Sequence, residues 1–277
     1  MRKLWMAVAG AVVIAVAAAG VASAVNTYEV DVATSTPTAK GSTTKPVPAK
    51  FRFGFEVGDT EGLRPFVIRQ YRIAGEGLQS YPDARPTCTF DQATEPTVTD
   101  PDDIAAACKR AKVGEGAIDN DAGAPNDRTQ NVDCDVQLTL FNIRTGDPRE
   151  RKTVGQIRRN GGIAIRIDTY EPEGSRCPIP VHEALAAPFY DVKIQGIPSS
   201  ELRFRVPDTL AHPGGLDNAL TDVVATIQKK TGRAKVKGGK TRRVGFYSLV
   251  GRKGPKRTVR VTFIDESGDK QTATAQD

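Results

Sequence analysis

Alternation of apolar and polar residues is the dominant pattern along this chain. In residues 51–57 an apolar side chain occupies every second position, from Phe51 to Val57. Strands with one buried face and one wet face are typical of antiparallel sheets, and many such strands favour two sheets packed face to face. The pattern therefore predicts an all-β fold, an antiparallel β-sandwich. The same alternation recurs in residues 28–32, 67–73, 136–140, 163–167, 190–194, 202–206, 246–250 and 259–263.

Two segments depart from this pattern. Residues 100–110 begin with Asp100 and Pro101, continue with acids in the first turn, and end with bases, and Gly114 follows shortly after. These are helix start and stop signals, so we expect one short helix there. Residues 216–230 fit either a helix or a strand, and their β-branched content favours a strand.

The N-terminus has the features of a secretory signal peptide. Basic residues precede an apolar run, and Ala22 to Ala24 form a small-residue cleavage site, so residues 1–24 are predicted to be removed on export. An uncleaved membrane anchor is the alternative, because the run approaches the ~20 residues that span a bilayer. Residues 25–277 would then form one β-sandwich domain, with 208–216 as a potential internal boundary.

Four cysteines in an exported chain predict two disulfides. Of the three connectivities, Cys88 with Cys108 and Cys134 with Cys177 is favoured, because each pair closes a local loop. A zinc site is not expected, since the spacings of 20, 26 and 43 residues contain no close ligand pair.

A family resemblance accompanies these features. Its motifs are Val113-Gly114-Glu115-Gly116, residues 202–207 (LRFRVP) and His212-Pro213, together with the first three cysteines. With these motifs the chain resembles a set of uncharacterised secreted proteins common in actinobacteria. The resemblance implies export and a β-rich fold, and it implies no catalytic residues.

The charge of the chain is strongly uneven. The whole sequence carries 39 bases and 33 acids, yet residues 229–260 hold thirteen bases and no acid. We expect this region to bind an anionic cell-wall polymer or membrane surface rather than nucleic acid, which an exported protein seldom meets. Residues 229–243 are expected to form a glycine-punctuated loop, and a solvated loop that only aids solubility is the alternative to a binding surface. The candidate anion-binding residues are Lys235, Lys237, Lys240, Arg242, Arg243, Arg252, Lys253, Lys256 and Arg257.

Catalytic motifs are sparse, so a non-enzymatic role is favoured. No G-x-S-x-G motif occurs, and His182 and His212 are the two histidines of the chain. The alternative is an extracellular hydrolase that uses the acids near a strand end: Asp168, Glu171 and Glu173. Paired carboxylates in a deep cleft would support that alternative.

One loop could bind calcium. Asp119, Asp121 and Asp127 lie in a turn-rich stretch, and carboxylate oxygens are the ligands that calcium prefers. The spacing differs from that of a helix-flanked calcium loop, so a plain solvated loop is the alternative. No other cofactor is expected.

Overall fold

The computed structural model describes residues 25–35, 41–94, 106–144, 161–169, 177, 181–251 and 257–276. Within these residues the chain is mostly β-strand. The strands are β1 (Asn26–Ser35), β2 (Val47–Pro48), β3 (Lys50–Asp59), β4 (Ile68–Gly75), β5 (Leu78–Ser80), β6 (Lys112–Gly123), β7 (Val132–Ile143), β8 (Gly162–Thr169), β9 (His182–Ile194), β10 (Ile197–Arg205), β11 (Asp217–Ile227), β12 (Thr231–Lys235), β13 (Thr241–Gly245), β14 (Tyr247–Leu249), β15 (Thr258–Asp265) and β16 (Lys270–Gln276).

Eleven of these strands form one antiparallel sheet, in the order β1-β3-β11-β6-β7-β8-β9-β10-β4-β15-β16. The sheet curls into a nearly closed, barrel-like form, so that β1 and β16 lie side by side at a seam. At this seam the ring of Tyr28 stacks on Phe263 with centroids 4.4 Å apart. The predicted all-β antiparallel class is confirmed. The two layers that pack against each other are opposite walls of one continuous curled sheet.

The core lies inside this curled sheet. The alternation on β3 is confirmed, because Phe51, Phe53, Phe55 and Val57 are all buried. The intervening positions on β3 face outward, and Glu56 among them is exposed. Each fully buried phenylalanine contributes about 1.5–3 kcal/mol relative to an exposed one, which makes the β3 series a main stabilising element.

Three short helices accompany the strands in the described residues: α1 (Phe90–Ala93), α2 (Ala106–Ala111) and α3 (Asp208–Ala211). The predicted helix corresponds to α2, and its N-terminal part, with Asp100, lies outside the described residues. Neither α1 nor α3 was predicted. α1 begins with a capping box, in which Thr89 Oγ1 accepts from Gln92 N and Gln92 Oε1 accepts from Thr89 N. This local capping offsets the unpaired amides of a one-turn helix.

Both predicted disulfides are present, Cys88–Cys108 and Cys134–Cys177. The first fastens α2 to the start of α1, and Cys88 also bridges to Ile143 at the end of β7. Closing a loop of this size is worth about 3 kcal/mol on the chain-entropy model. The Cys88–Cys108 crosslink therefore holds α1 and α2 against the outer face of the sheet.

The ambiguous segment 216–230 forms strand β11, which confirms the prediction of a strand. β11 lies between β3 and β6 in the main sheet. Residues 208–216, the potential domain boundary, hold α3 and a 3-10 turn at Pro213–Gly215. They connect β10 to β11, and both strands belong to the same sheet.

Candidate functional site

A two-stranded hairpin carries most of the basic segment. β12 and β13 form a sheet of their own, with Arg233 opposite Arg243 and Lys235 opposite Thr241. The segment was predicted to be a loop, and that prediction is wrong, because Val236 N donates to Lys240 O and closes a tight turn at 3.0 Å. Gly238 and Gly239 in this turn adopt positive φ values of 89° and 76°, which glycine tolerates best.

The hairpin packs against the rest of the molecule through one apolar face. Ala234, Val236 and Val244 are buried there together with Ala84. Gly232 lies so close to the carbonyl group of Ala84 that a β-carbon would overlap it. Burial of this face directs the other side chains of the hairpin into solvent.

The charged side chains of the hairpin and of its turn are all basic. Seven bases in residues 229–243 are exposed, and none forms an ion pair with an acid within the described part of the chain. We call these seven the basic hairpin set. Its members are Lys229, Arg233, Lys235, Lys237, Lys240, Arg242 and Arg243.

Further bases from distant parts of the sequence surround the foot of the hairpin. Lys230 Nζ donates to the carbonyl oxygen of Lys112 at 2.7 Å, and Arg85 Nη2 donates to Arg110 O at 3.2 Å. Burial, and then the cations of Arg85 and Lys112, lower the pKa of Lys230. The exposed Lys45 belongs to the loop that contacts the hairpin, through Thr43 O and Lys237 N. The sequence prediction missed Lys45, Arg85 and Lys112, which lie 118 or more residues before Lys230 along the chain.

The remaining predicted anion-binding residues do not extend the basic hairpin set. Arg257 is buried, and its Nη1 donates to Glu76 O at 3.1 Å. Its charge is therefore not available to an anion at the surface. This position corrects the prediction for Arg257. Arg252, Lys253 and Lys256 lie outside the described residues.

The predicted calcium ligands are not brought together. Asp119 and Asp121 lie on β6, where pairing with β7 and β11 extends the strand through a stretch that was predicted to be a turn-rich loop. Asp127 lies in the following loop, where its Oδ1 accepts from Thr129 Oγ1 at 2.5 Å and from Thr129 N at 2.9 Å, and these two bonds lower the pKa of Asp127. Within the described residues no group of three or more acids, histidines or cysteines is placed to hold a metal ion.

The same stretch reveals an acidic feature that the sequence pattern did not show. Five acids stand opposite one another on five adjacent strands of the main sheet. Burial and repulsion from its neighbours raise the pKa of Asp119 and of Asp222. We call this line the acidic row. Its members, in order across the sheet, are Glu29, Glu56, Asp222, Asp119 and Asp135.

The hydrolase alternative receives no support from Asp168. This carboxylate is buried, its oxygens accept from Arg166 Nε at 2.9 and 3.1 Å, and His182 Nδ1 lies 3.2 Å from Oδ1. A carboxylate held by an adjacent guanidinium is a structural ion pair, unlike one of a carboxylate pair in a cleft. Glu171 and Glu173 lie outside the described residues.

The second histidine also has a structural role. His212 Nδ1 lies 3.0 Å from Asp217 Oδ1, and Nε2 lies 2.7 Å from Glu266 Oε1. The bond to Glu266 is the main cause of a raised His212 pKa, although burial opposes it. The imidazole thus joins the 3-10 turn after α3 to the turn between β15 and β16.

Together the fold and surface define a disulfide-linked, all-β protein with a nearly closed antiparallel sheet and a separate basic hairpin. Comparison with models of known families, with curated proteins and with solved structures found no match. In the described residues, no helix combines the length and the apolar character needed to cross a membrane.

Proposed function

We propose that this protein is an exported, non-enzymatic module that docks on phosphate-rich polyanions of the cell envelope through the basic hairpin set. One observation carries the proposal: seven exposed bases stand on one hairpin without an acidic partner in the described residues. The leader-like residues 1–24 and the two disulfides support export, because disulfides persist in oxidising compartments.

The electrostatics favour an extended anionic surface over a single small anion. The bases lie along both strands and the turn of the hairpin, rather than converging on one point. Arg242 and Arg243 add planar guanidinium groups, which bind phosphate oxygens in pairs. Such contacts weaken as salt rises, since exposed charges are screened beyond about 8 Å at physiological ionic strength.

The test compares two triple variants of residues 25–277. One changes Lys235, Lys237 and Lys240 to glutamine, and the control changes Lys193, Arg205 and Lys270, which are exposed bases outside the hairpin. Binding to purified cell wall and to anionic phospholipid vesicles is measured at low and high salt. These two arms distinguish wall phosphate from lipid phosphate.

We expect the hairpin variant to lose about 100-fold in affinity, at about 1 kcal/mol for each base near an anionic surface. The control should bind like the unmodified protein, and adding Arg242→Gln and Arg243→Gln to the hairpin variant should abolish binding. Equal binding of the two triple variants, or binding that is indifferent to salt, would contradict the proposal.

A further inference from the structure

Two distant segments of the chain meet tightly at the foot of the basic hairpin. A β-carbon added to Gly232 would lie 1.6 Å from the carbonyl oxygen of Ala84, so the backbones of these two residues are in contact. Arg85 follows Ala84 directly, and Lys230 lies two residues before Gly232. This contact therefore holds a guanidinium group and an ammonium group near each other.

A third base completes the group. Lys230 Nζ donates to Lys112 O at 2.7 Å, which places the ammonium group beside the first residue of β6. Arg85 Nη2 donates to Arg110 O at 3.2 Å, two residues earlier on the same segment. Both donors are therefore anchored to the junction between α2 and β6. We call Arg85, Lys112 and Lys230 the foot site.

The backbone that carries the foot site is firmly held. Asn142 on β7 is fully buried, and its Nδ2 donates to the carbonyl oxygens of Arg85 and of two nearby prolines. Phe246 N donates to Lys230 O at 2.9 Å. α2, which the first disulfide fastens, ends immediately before Lys112. A ligand here would meet groups that are already positioned, which reduces the ordering cost of binding.

The foot site has an excess of positive charge. Neither Arg85 nor Lys230 forms an ion pair with an acid within the described part of the chain. Lys112 Nζ lies 3.0 Å from Glu115 Oε2. The pKa of Lys230 is lowered first by burial and then by the cations of Arg85 and Lys112, whereas Glu115 opposes the shift. Three bases against one acid leave two positive charges without compensation.

Hydrogen-bond donors also remain unused at this place. An ammonium group has three N–H donors, and a guanidinium group has five. Within the described residues Lys230 Nζ makes one hydrogen bond, and the Arg85 guanidinium makes one through Nη2. The foot site thus combines uncompensated charge with spare donors, which is what an anion requires.

We propose that the foot site binds one phosphate group that carries two negative charges. Bases on three separate chain segments suit a tetrahedral anion, because its oxygens point in several directions, whereas those of a carboxylate share one plane. Guanidinium groups also bind phosphate oxygens in pairs. The ligand is inorganic phosphate or a phosphomonoester. This proposal deepens the proposed function and rests on it for the phosphomonoester: the hairpin attracts the polyanion, and the foot site holds a terminal phosphate of it.

The test titrates residues 25–277 by calorimetry with inorganic phosphate, glycerol 1-phosphate and dimethyl phosphate at constant ionic strength. We expect saturable binding of the first two and weaker binding of dimethyl phosphate, which carries one charge. Arg85→Gln and, separately, Lys230→Gln should weaken inorganic phosphate by about tenfold or more, the worth of one charge-assisted hydrogen bond. Lys193→Gln removes an exposed base outside the foot site and should bind as before.

Acylation of lysines, followed by mass spectrometry of peptides, locates the bound anion independently of the variants. Inorganic phosphate at about ten times its Kd should slow the acylation of Lys230 about tenfold, because the bound anion keeps the amine protonated and shielded. The exposed Lys193 should react at the same rate with and without phosphate. Equal acylation of Lys230 in both conditions would overturn the location of the site.

Failure of this proposal is distinguishable from failure of the proposed function. The variant with Lys235, Lys237 and Lys240 changed to glutamine should lose polyanion binding but still bind inorganic phosphate. No saturable binding of inorganic phosphate to the unmodified protein would overturn the foot site and leave the hairpin proposal standing, as would full affinity in folded Arg85→Gln and Lys230→Gln. Binding of inorganic phosphate without glycerol 1-phosphate would overturn the link to the polyanion.

Discussion

The basic hairpin set and the acidic row are both lines of like charge on β-strands, but they are attached to the fold in different ways. The bases stand on a two-stranded sheet whose other face is buried on Ala84. The acids stand on five adjacent strands of the main sheet, where directly opposite side chains are about 4.5–5.5 Å apart at their β-carbons.

This difference determines what each line of charge can do. Raised pKa values at Asp119 and Asp222 indicate that the acidic row opposes folding when it is ionised. The bases of the hairpin are exposed, and none forms an ion pair with an acid in the described part of the chain. Charge built into the main sheet therefore lowers stability, whereas charge on an appended hairpin remains available to a partner.

The largest expected effect comes from separating the hairpin from the body. A β-carbon at Gly232 would overlap the Ala84 carbonyl, so Gly232→Ala should weaken the docking of the hairpin by about 1–3 kcal/mol. Hydrogen exchange at the amide of Val236 should accelerate, and polyanion binding should weaken as the bases lose their fixed arrangement. Thr241→Ala, at an exposed and uncharged position of β13, is the matched control. Unchanged exchange in Gly232→Ala would show that the hairpin does not rely on this contact.

A smaller effect, of opposite sign, should follow from relieving the acidic row. Asp222 stands between Glu56 and Asp119, so Asp222→Asn should raise the free energy of unfolding at pH 7 by about 0.2–1 kcal/mol. Chemical denaturation measures this change, and Asp83→Asn, an exposed acid outside the row, should have no effect. A loss of stability in Asp222→Asn would mean that the carboxylate makes a favourable contact that outweighs the repulsion.

The acidic row also fixes the sign of the pH dependence. A raised pKa in the folded state means that ionisation of Asp119, Asp121 and Asp222 costs stability above their folded pKa values. Their contribution should improve as the pH falls from 7 through those values toward 3.8. Below that, protonation of Asp59, whose pKa is lowered by Arg128, removes stability again. In Asp222→Asn the gain between pH 7 and about pH 4 should be smaller.

The smallest expected effect concerns the hairpin charges themselves. Lys237 is exposed and makes no ion pair in the described chain, so Lys237→Gln should change the free energy of unfolding by less than about 0.5 kcal/mol. Thermal unfolding at low and high salt measures this. A larger change would place Lys237 in an interaction that supports the fold, and its charge would then not be free for a partner.

Much of the fold could be predicted because its signals are local. Period-two alternation identified β3, β8 and β15, and short sequence loops identified the disulfide pairs. β6 was not predicted because its glycines and aspartates are poor strand formers. In the structure, pairing with both β7 and β11 overrides that preference. The β12–β13 hairpin was not predicted because its apolar residues, such as Ala234 and Val236, are small and few, so they give no clear alternating pattern.

The candidate sites were predictable only in part. Thirteen bases without an acid are visible in the sequence, and the structure leaves seven of them, from Lys229 to Arg243, exposed on or beside the hairpin. The burial of Arg257 depends on Glu76, 181 residues away, and no local pattern encodes that contact. The acidic row arises from strand register, which the sequence does not specify by itself.

The strand order of the main sheet also determines when the fold can assemble. β3 and β6 become neighbours only through β11, and β4 lies between β10 and β15. A chain synthesised only to about residue 205 therefore lacks β11, the strand that joins the β1–β3 pair to the strands from β6 onward. It also lacks β15 and β16, which complete the seam. Distant pairings of this kind form slowly, because a long loop must close before any contact compensates. The N-terminal half therefore cannot complete its native sheet early, and under the proposed export this delay would keep the chain unfolded for passage through a translocation channel.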